Sequence, residues 1–439
     1  MKNNTLPFRT HLGYGFGDLG QNLVFQTIAI FLLPYFTDVI GLSPALAGLI
    51  FLIARPFDGI TDPLMGYLAQ KNRSPWGKFR PFLLYAALPG ALCFVALFNA
   101  PVLAGNWAFA YALGMYLVFS IFFTAFNIPY AALTAVMTED YNERGKLTGF
   151  RMTFALIGGI IAGYLTPELL GISGYKGMAG IYGGILVFCL LVAFFSVRER
   201  SDTTESAQTS VKDTLQMLRT NRPFWVITLS FSCCFASALS FSGMVQYYFS
   251  YYIGDTNLMG LGLLCFSGAT ALSIPFWTWL SSETSKKTTL ILGICVSFLA
   301  YVSIFFLGPQ QANLLLILLG LHGIGNGALA FASWAMPADS IEYGEWKSGI
   351  RAEGMTFGVY GVFLKIGMAI GSSLIGLGLS GVGYVALAEQ SPETLLGIRA
   401  LMTLLPACFL LIALGSILTY RLSPERHALI RAELKQKRN

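Results

Sequence analysis

Residues 44–68 read PALAGLIFLIARPFDGITDPLMGYL. Apart from Arg55, Asp58 and Asp62 the stretch carries no charge, and it is long enough as a helix to cross roughly 30 Å of hydrocarbon. Asp58 and Asp62 are four residues apart, so a helix projects both from one face, roughly 6 Å apart along its axis. A charge at membrane depth costs on the order of 3 kcal/mol or more and marks an ion, proton or substrate path. Two carboxylates on one face make this segment a candidate cation site.

The rest of the chain has the same character. Of 439 residues, 55% are hydrophobic and only 11% charged, and the mean hydropathy is +0.63. Soluble domains carry about 25% charged residues, so the expected class is an all-α membrane protein. Apolar stretches give twelve expected spans, at about 12–36, 44–68, 81–103, 108–134, 149–170, 177–196, 223–252, 259–281, 287–307, 313–337, 354–380 and 396–420. The first lacks a small-residue cleavage site and carries polar groups, so it reads as a permanent helix rather than a signal peptide. Seven cysteines lie within apolar runs without disulfide or metal spacing, and three scattered histidines form no ligand cluster.

The net charge of +6 does not point to nucleic acid, because the basic residues fall in alternate loops. Lys71, Arg73, Lys78 and Arg80 occupy one such loop, Arg144 and Lys146 the next, then Arg198, Arg219 and Arg222, then Lys286 and Lys287, and finally the tail from Arg421. The intervening loops hold almost none, Lys176 being the exception. This positive-inside pattern places both termini in the cytoplasm of a multi-pass protein, here expected in a bacterial inner membrane.

The longest polar connection, residues 198–222, divides the chain into a first six-span bundle (1–197) and a second with a tail (223–439). A short surface helix is expected near Val211–Leu218. The halves are weakly alike. Arg151-Met152-Thr153-Phe154 opens span five and Gly354-Met355-Thr356-Phe357 opens span eleven. Each follows a charged loop, with Glu139, Asp140, Glu143 and Arg144 in one and Asp339, Glu342, Glu345 and Arg351 in the other. Two parallel six-helix repeats are the arrangement of major facilitator transporters. Gly158-Gly159, Gly163, Gly367 and Gly371 would let helices approach closely.

Charged residues inside the spans are few. Lys365 lies roughly 16 Å into span eleven, too deep for easy snorkelling, and needs a carboxylate or an acceptor-rich ligand. Arg151 lies at the cytoplasmic end of span five, where loop pairing competes with substrate contact. Arg399, near the outer end of span twelve, reads as an anchor. Arg55 precedes Asp58 by three residues, a spacing that would neutralise it. In span one, Asp18 and Asn22 share a face beside Gln21. In span four, Thr124 and Asn127 are followed by Pro129, which cannot donate to the Ala125 carbonyl, and by Tyr130. Tyr130 and Trp334 are packing aromatics by default, and a sugar site would use such rings as platforms. No nucleophile–base pair, metal cluster or phosphate-binding Gly-rich loop is evident, so no enzyme activity and no cofactor are expected.

Six ordered motifs carry a family resemblance: YGFGDLGQN (14–22), YFTDVIGLS (35–43), RPFDGITDPLMG (55–66), RSPWGKFRPF (73–82), NIPYAAL (127–133) and DSIEYGEWKSGIRAEG (339–354). They resemble the glycoside–pentoside–hexuronide:cation symporters, the major-facilitator branch that contains the melibiose and glucuronide permeases. The resemblance covers essentially the whole chain. It implies cation binding at Asp58 and Asp62, with Thr124 and Thr61, the last standing where the melibiose permease has Asn. Sodium, if it is the coupling ion, would bind the two aspartates; otherwise they would carry a proton. The sugar-gripping aspartates of the melibiose permease fall on Asn22 and Asn127, and an adjacent Trp on Ala131, whereas the family's basic positions persist as Arg151 and Lys365.

The implied activity is cation-coupled sugar symport by alternating access, with Asn22, Gln21, Asn127, Arg151 and Lys365 facing the sugar and Tyr130 and Trp334 as walls. Losing two negative charges while keeping two positive ones favours an acidic sugar such as a glucuronide. The alternatives are a neutral glycoside or pentoside, or a lysolipid carried on the same fold. The expected partners are a small sugar and the bilayer, with no nucleic acid, and the expected state is a monomer.

Overall fold

The computed structural model describes residues 6–438 apart from 104, 139, 200–210 and 351. Glu139, Arg351 and much of the expected linker therefore lie outside the described residues. Helix fills almost everything else, and among the described residues the nearest approach to a strand is one isolated bridge between Ser74 and Gly77.

The first bundle comprises α1 (Phe8–Pro34), α2 (Pro44–Lys71), α3 (Arg80–Tyr85) with α4 (Ala87–Leu97), α5 (Asn106–Met137) and α6 (Tyr141–Ser196). Helix α6 is far longer than one span needs, and it holds two, divided at Gly174 with φ +62° and ψ −175°. A β-carbon at Gly174 would meet nothing within 4 Å, so the left-handed backbone, not crowding, requires glycine here. Counting that division, the first half has the six expected spans. A short α7 (Val211–Thr220) covers the surface helix expected near Val211–Leu218. The second bundle is α8 (Arg222–Tyr247), α9 (Thr256–Glu283), α10 (Lys286–Phe305), α11 (Ala312–Ser348), α12 (Glu353–Gly381) and α13 (Pro392–Leu418), followed by a tail helix α14 (Pro424–Arg438).

Local chemistry sets the helix starts. The side chains of Ser43, Asn221, Asp255, Ser285 and Ser391 accept backbone N–H bonds at the starts of α2, α8, α9, α10 and α13. Pro44, Pro223 and Pro392 follow three of them in the first turn, where a missing N–H costs nothing. The tail helix docks on the end of α11 through His427 Nε2 to Glu342 at 2.7 Å and Trp346 Nε1 donating to Glu433 at 2.6 Å.

Helices pack through small residues, as lipid-embedded helices do. Gly158 faces the Leu19 backbone, Gly367 faces Ser232 and Gly371 faces Ala236, all within their own bundles, whereas Gly163 faces Leu263 of the other bundle. The bundles also meet where α2 crosses α12, Gly48 lying against Ser373 and Gly376. At the face opposite the termini, α1 and α8 each run on into a π-helical turn, Tyr35–Val39 and Tyr248–Ile253. π turns recur at functional positions, and these two are pseudo-equivalent. Four hydrogen bonds join the bundles there: Thr37 to Tyr247 at 2.7 Å, Tyr251 to Asp38 at 3.0 Å, Tyr384 to Asp38 at 2.7 Å, and Gln246 to Tyr175 at 3.2 Å. This face is sealed.

Candidate functional site

Helix α2 presents its carboxylates unequally. Asp58 is buried, and Asp62, one turn nearer the terminal face, is partly exposed. Pro56 and Pro63 lie inside the helix and cannot donate to the Leu52 and Gly59 carbonyls, which loosens the backbone around both acids. Thr61 turns back onto its own helix, donating to the Asp58 carbonyl at 3.3 Å.

Asp62 links three helices. Its Oδ1 accepts from Thr124 Oγ1 of α5 at 2.8 Å, and its Oδ2 pairs with Lys365 Nζ of α12. The ammonium that sequence placed beside a sugar is thus held on the carboxylate assigned to the cation, and the pair bridges the two bundles. About a quarter of each side chain stays exposed, 26% for Asp62 and 23% for Lys365.

Asp58 is different. Its Oδ1 is buried without a hydrogen-bond partner, and so are Arg55 Nε, Arg55 Nη2 and the Tyr116 hydroxyl. Arg55 forms no ion pair with Asp58; its guanidinium lies 5.2 Å over the Phe25 ring and acts on the acid only through its charge. The expected neutralising pair is therefore a correction: helical spacing allows it, and the cation–π contact with α1 draws the guanidinium aside. An unpartnered buried carboxylate oxygen is costly, and binding a proton or a small cation would relieve it.

A second polar group lies between α1 and α5. Asn127 Nδ2 donates to Gln21 Oε1 at 2.7 Å, leaving the buried Gln21 Nε2 without a partner. Asn22 Nδ2 donates to the Asp18 carbonyl at 3.0 Å, and its side chain is half-buried. These amides offer both donors and acceptors, the chemistry that hydroxyls require.

Arg151 Nε meets Asp18 Oδ2 at 2.6 Å, and its guanidinium lies 5.0 Å over Tyr130 and 5.7 Å over Tyr14. Tyr130 is fully buried; its hydroxyl donates to the Tyr14 carbonyl, and Tyr14 Oη donates to the Tyr130 carbonyl at 2.8 Å. In this conformation Tyr130 and Arg151 tie α1, α5 and α6 together. Trp334 on α11 is 61% exposed and stands apart from that packing. Arg399 donates to the Tyr252 hydroxyl at 3.0 Å and lies 4.8 Å over Phe305, fixing the first turns of α13.

Sequence reasoning missed the Asp38 seal. The signal was present in YFTDVIGLS, a carboxylate at the end of an apolar span among aromatic residues.

Comparison with known proteins agrees with the expected class. Residues 13–424 match the family described as MFS/sugar transport protein. An uncharacterised symporter, YnaJ, of Bacillus subtilis is 31% identical, the match covering 97% of this chain and 94% of that protein. A glucuronide carrier protein homolog of Escherichia coli is also 31% identical, over 98% of this chain and 96% of that one. In fold, the chain resembles a bacterial homolog of the human lysosomal transporter Spinster, solved inward-facing and occupied. The TM-score is 0.70 at 13% identity, covering 95% of this chain and 97% of that one.

Proposed function

The chain belongs to the MFS/sugar transport family, and from that premise we propose that it couples uptake of an acidic sugar to an inward-moving monovalent cation. The observation that carries this reading is the Asp62–Lys365 bridge between the bundles, with Thr124 on the other carboxylate oxygen. Asp62 cannot hold a proton or sodium while its oxygen is committed to the ammonium. A sugar carboxylate offers Lys365 another partner and so frees Asp62 for the cation. Each ligand then makes room for the other, a coupling free energy between two sites.

Charge balance favours the same pairing. Around the two polar groups, Asp18, Asp58 and Asp62 stand against Arg55, Arg151 and Lys365, so the charges of the site itself balance. Adding one cation and one anion keeps it neutral, whereas a cation with a neutral sugar leaves a net charge in a low-dielectric site. The similarity to a glucuronide carrier homolog supports an acidic substrate. Gln21, Asn22 and Asn127 would hold the sugar hydroxyls, and Asp58 with Asp62, Thr61 and Thr124 would hold the cation.

The division into 1–197 and 223–439 about the 198–222 connection supplies the two bodies that rock. Basic residues on the terminal face make that face cytoplasmic by the positive-inside rule. With the opposite face sealed at Asp38, the conformation is inward-facing.

Counterflow and uptake in reconstituted vesicles test the proposal, using a glucuronide, a sulfonated sugar and a neutral glycoside, each with and without sodium and a proton gradient. Concentrative uptake of the acidic sugars only with a cation gradient is expected. Asp58→Asn should abolish accumulation but leave counterflow measurable. Unchanged concentrative uptake by that variant would refute the cation assignment, and equal handling of neutral and acidic sugars would refute the acidic one.

A further inference from the structure

On the terminal face of the first bundle, the loop between α2 and α3 closes against the end of α6 around a cavity of ≈ 620 Å³. Arg73, Lys78, Arg80 and Arg198 line it, with Glu199 as the one carboxylate among the lining residues. Both Glu199 oxygens are engaged. Oε2 accepts from the Lys78 backbone N–H, and Oε1 from those of Phe79 and Arg80, each at 2.8 Å. Glu199 thus fastens the loop to α6, and the three arginines alone outnumber the one carboxylate among the lining residues.

The arginines lie close enough to act on one another. Arg80 donates its Nε–H to the Phe194 carbonyl at 2.6 Å and lies 4.3 Å over the Phe194 ring, where it feels both repulsion from Arg198 and attraction from Glu199. Arg73 and Arg198 are exposed, and among the described residues neither has a carboxylate partner. Like charges held together in this way favour an anion, and the guanidinium fork matches a phosphate best.

The neighbouring surface is apolar and aromatic. Trp76 on the cavity wall is 46% exposed, with Tyr85 of α3 beside it at 6.3 Å between ring centroids; Tyr85 itself and Phe195 of α6 are more exposed still. Trp and Tyr at the end of a span mark the headgroup level of a bilayer. A cationic cavity with an aromatic rim facing the lipid combines the requirements for a charged head and its acyl chains.

We propose that this cavity binds the phosphate headgroup of an anionic phospholipid, with Arg73, Arg80 and Arg198 on the phosphate and Trp76 beside the glycerol and acyl chains. The assignment is independent of the transported solute. Binding there would brace the α2–α3 loop, and with it the terminal-face end of the helix that carries Asp58 and Asp62.

The test uses the full chain in phosphatidylcholine nanodiscs doped with phosphatidylglycerol, followed by native mass spectrometry of the lipid that stays bound. Wild type should retain phosphatidylglycerol in preference to phosphatidylcholine. Arg73→Gln with Arg198→Gln should weaken that retention by roughly fivefold for each cation removed. Arg9→Gln with Arg219→Gln, an equal loss of charge from exposed positions elsewhere, should leave it unchanged. Equal loss in both double variants would reduce the effect to diffuse surface attraction and overturn the site. Absence of a lipid preference in the wild type would overturn it too. Inorganic phosphate displacing phosphatidylglycerol at matched concentration would reassign the cavity to a free anion and overturn the lipid assignment.

Discussion

Asp38 in the first bundle and Tyr384 in the second are joined at 2.7 Å, and Thr37 and Tyr251 share the same carboxylate at 2.6 and 3.0 Å. A carboxylate accepting two hydroxyl protons from the other bundle, and a third from its neighbour Thr37, is a latch: every bond through Tyr384 or Tyr251 must break for this face to open. Hydrogen bonds to a charged group contribute roughly 1.5–3 kcal/mol each. Tyr384→Phe should therefore shift the population toward the form open at this face by about tenfold or more, and Asp38→Ala further still. Spin labels at the exposed Val102 and Glu389, one in each bundle, would report the change as a longer distance component. An unaltered distance distribution in Asp38→Ala would show that the seal rests on helix packing instead.

The Asp18–Arg151 pair makes a separate prediction, about stability rather than gating. Both groups are largely buried, and removing one partner strands the other, at a cost of about 3–5 kcal/mol. Asp18→Asn and Arg151→Gln should each lower the thermal transition of the purified protein, and the double variant should recover much of that loss. If Arg151 were held for the substrate alone, Asp18→Asn would leave stability untouched and the double variant would show no recovery.

The sequence made the fold readable because apolar length and loop charge both report on one bilayer. The spans expected around 149–170 and 177–196 fall on either side of Gly174 in α6. The polar site was legible as a list of residues but not as a set of pairs. Helical spacing puts Arg55 within reach of Asp58, yet cannot show that Phe25 on another helix competes for it. Nor can it bring Lys365 to Asp62, since the two are 303 positions apart and meet only through the crossing of α2 and α12. Tyr130 illustrates the reverse difficulty: reading it as a packing aromatic by default, or as a wall for a sugar, says nothing of the Tyr14 and Gly17 contacts that bury it.

Lys365→Met tests the coupling directly. The change keeps the stem and removes the ammonium, so Asp62 retains Thr124 and loses its internal cation. Affinity for the external cation without sugar should rise, and the increase in cation affinity caused by an acidic sugar should vanish. Titration calorimetry of sodium, and of protons by buffer exchange, with and without a glucuronide measures both quantities. If sugar still raises cation affinity in the variant, Lys365 is not the link between the two sites.

The crossing of α2 and α12 supplies the last prediction. A β-carbon on Gly48 would lie 2.7 Å from the Ser373 carbonyl oxygen and 3.2 Å from Gly376 Cα. Both obstacles are backbone, so no rotamer change relieves them, and overpacking of this kind costs about 1–3 kcal/mol. The penalty applies only while the helices cross this closely, in the conformation sealed at Asp38. Gly48→Ala should therefore act like a broken latch, lengthening the Val102–Glu389 distance and slowing turnover, with the latch hydroxyls intact. Gly114→Ala on α5 is the control, because a β-carbon there meets nothing within 4 Å. Combining Gly48→Ala with Tyr384→Phe should add the two population shifts, since the helix crossing and the latch act on the same closure through different contacts. Identical behaviour of the Gly48 and Gly114 variants would mean that close approach of α2 and α12 does not limit the transition.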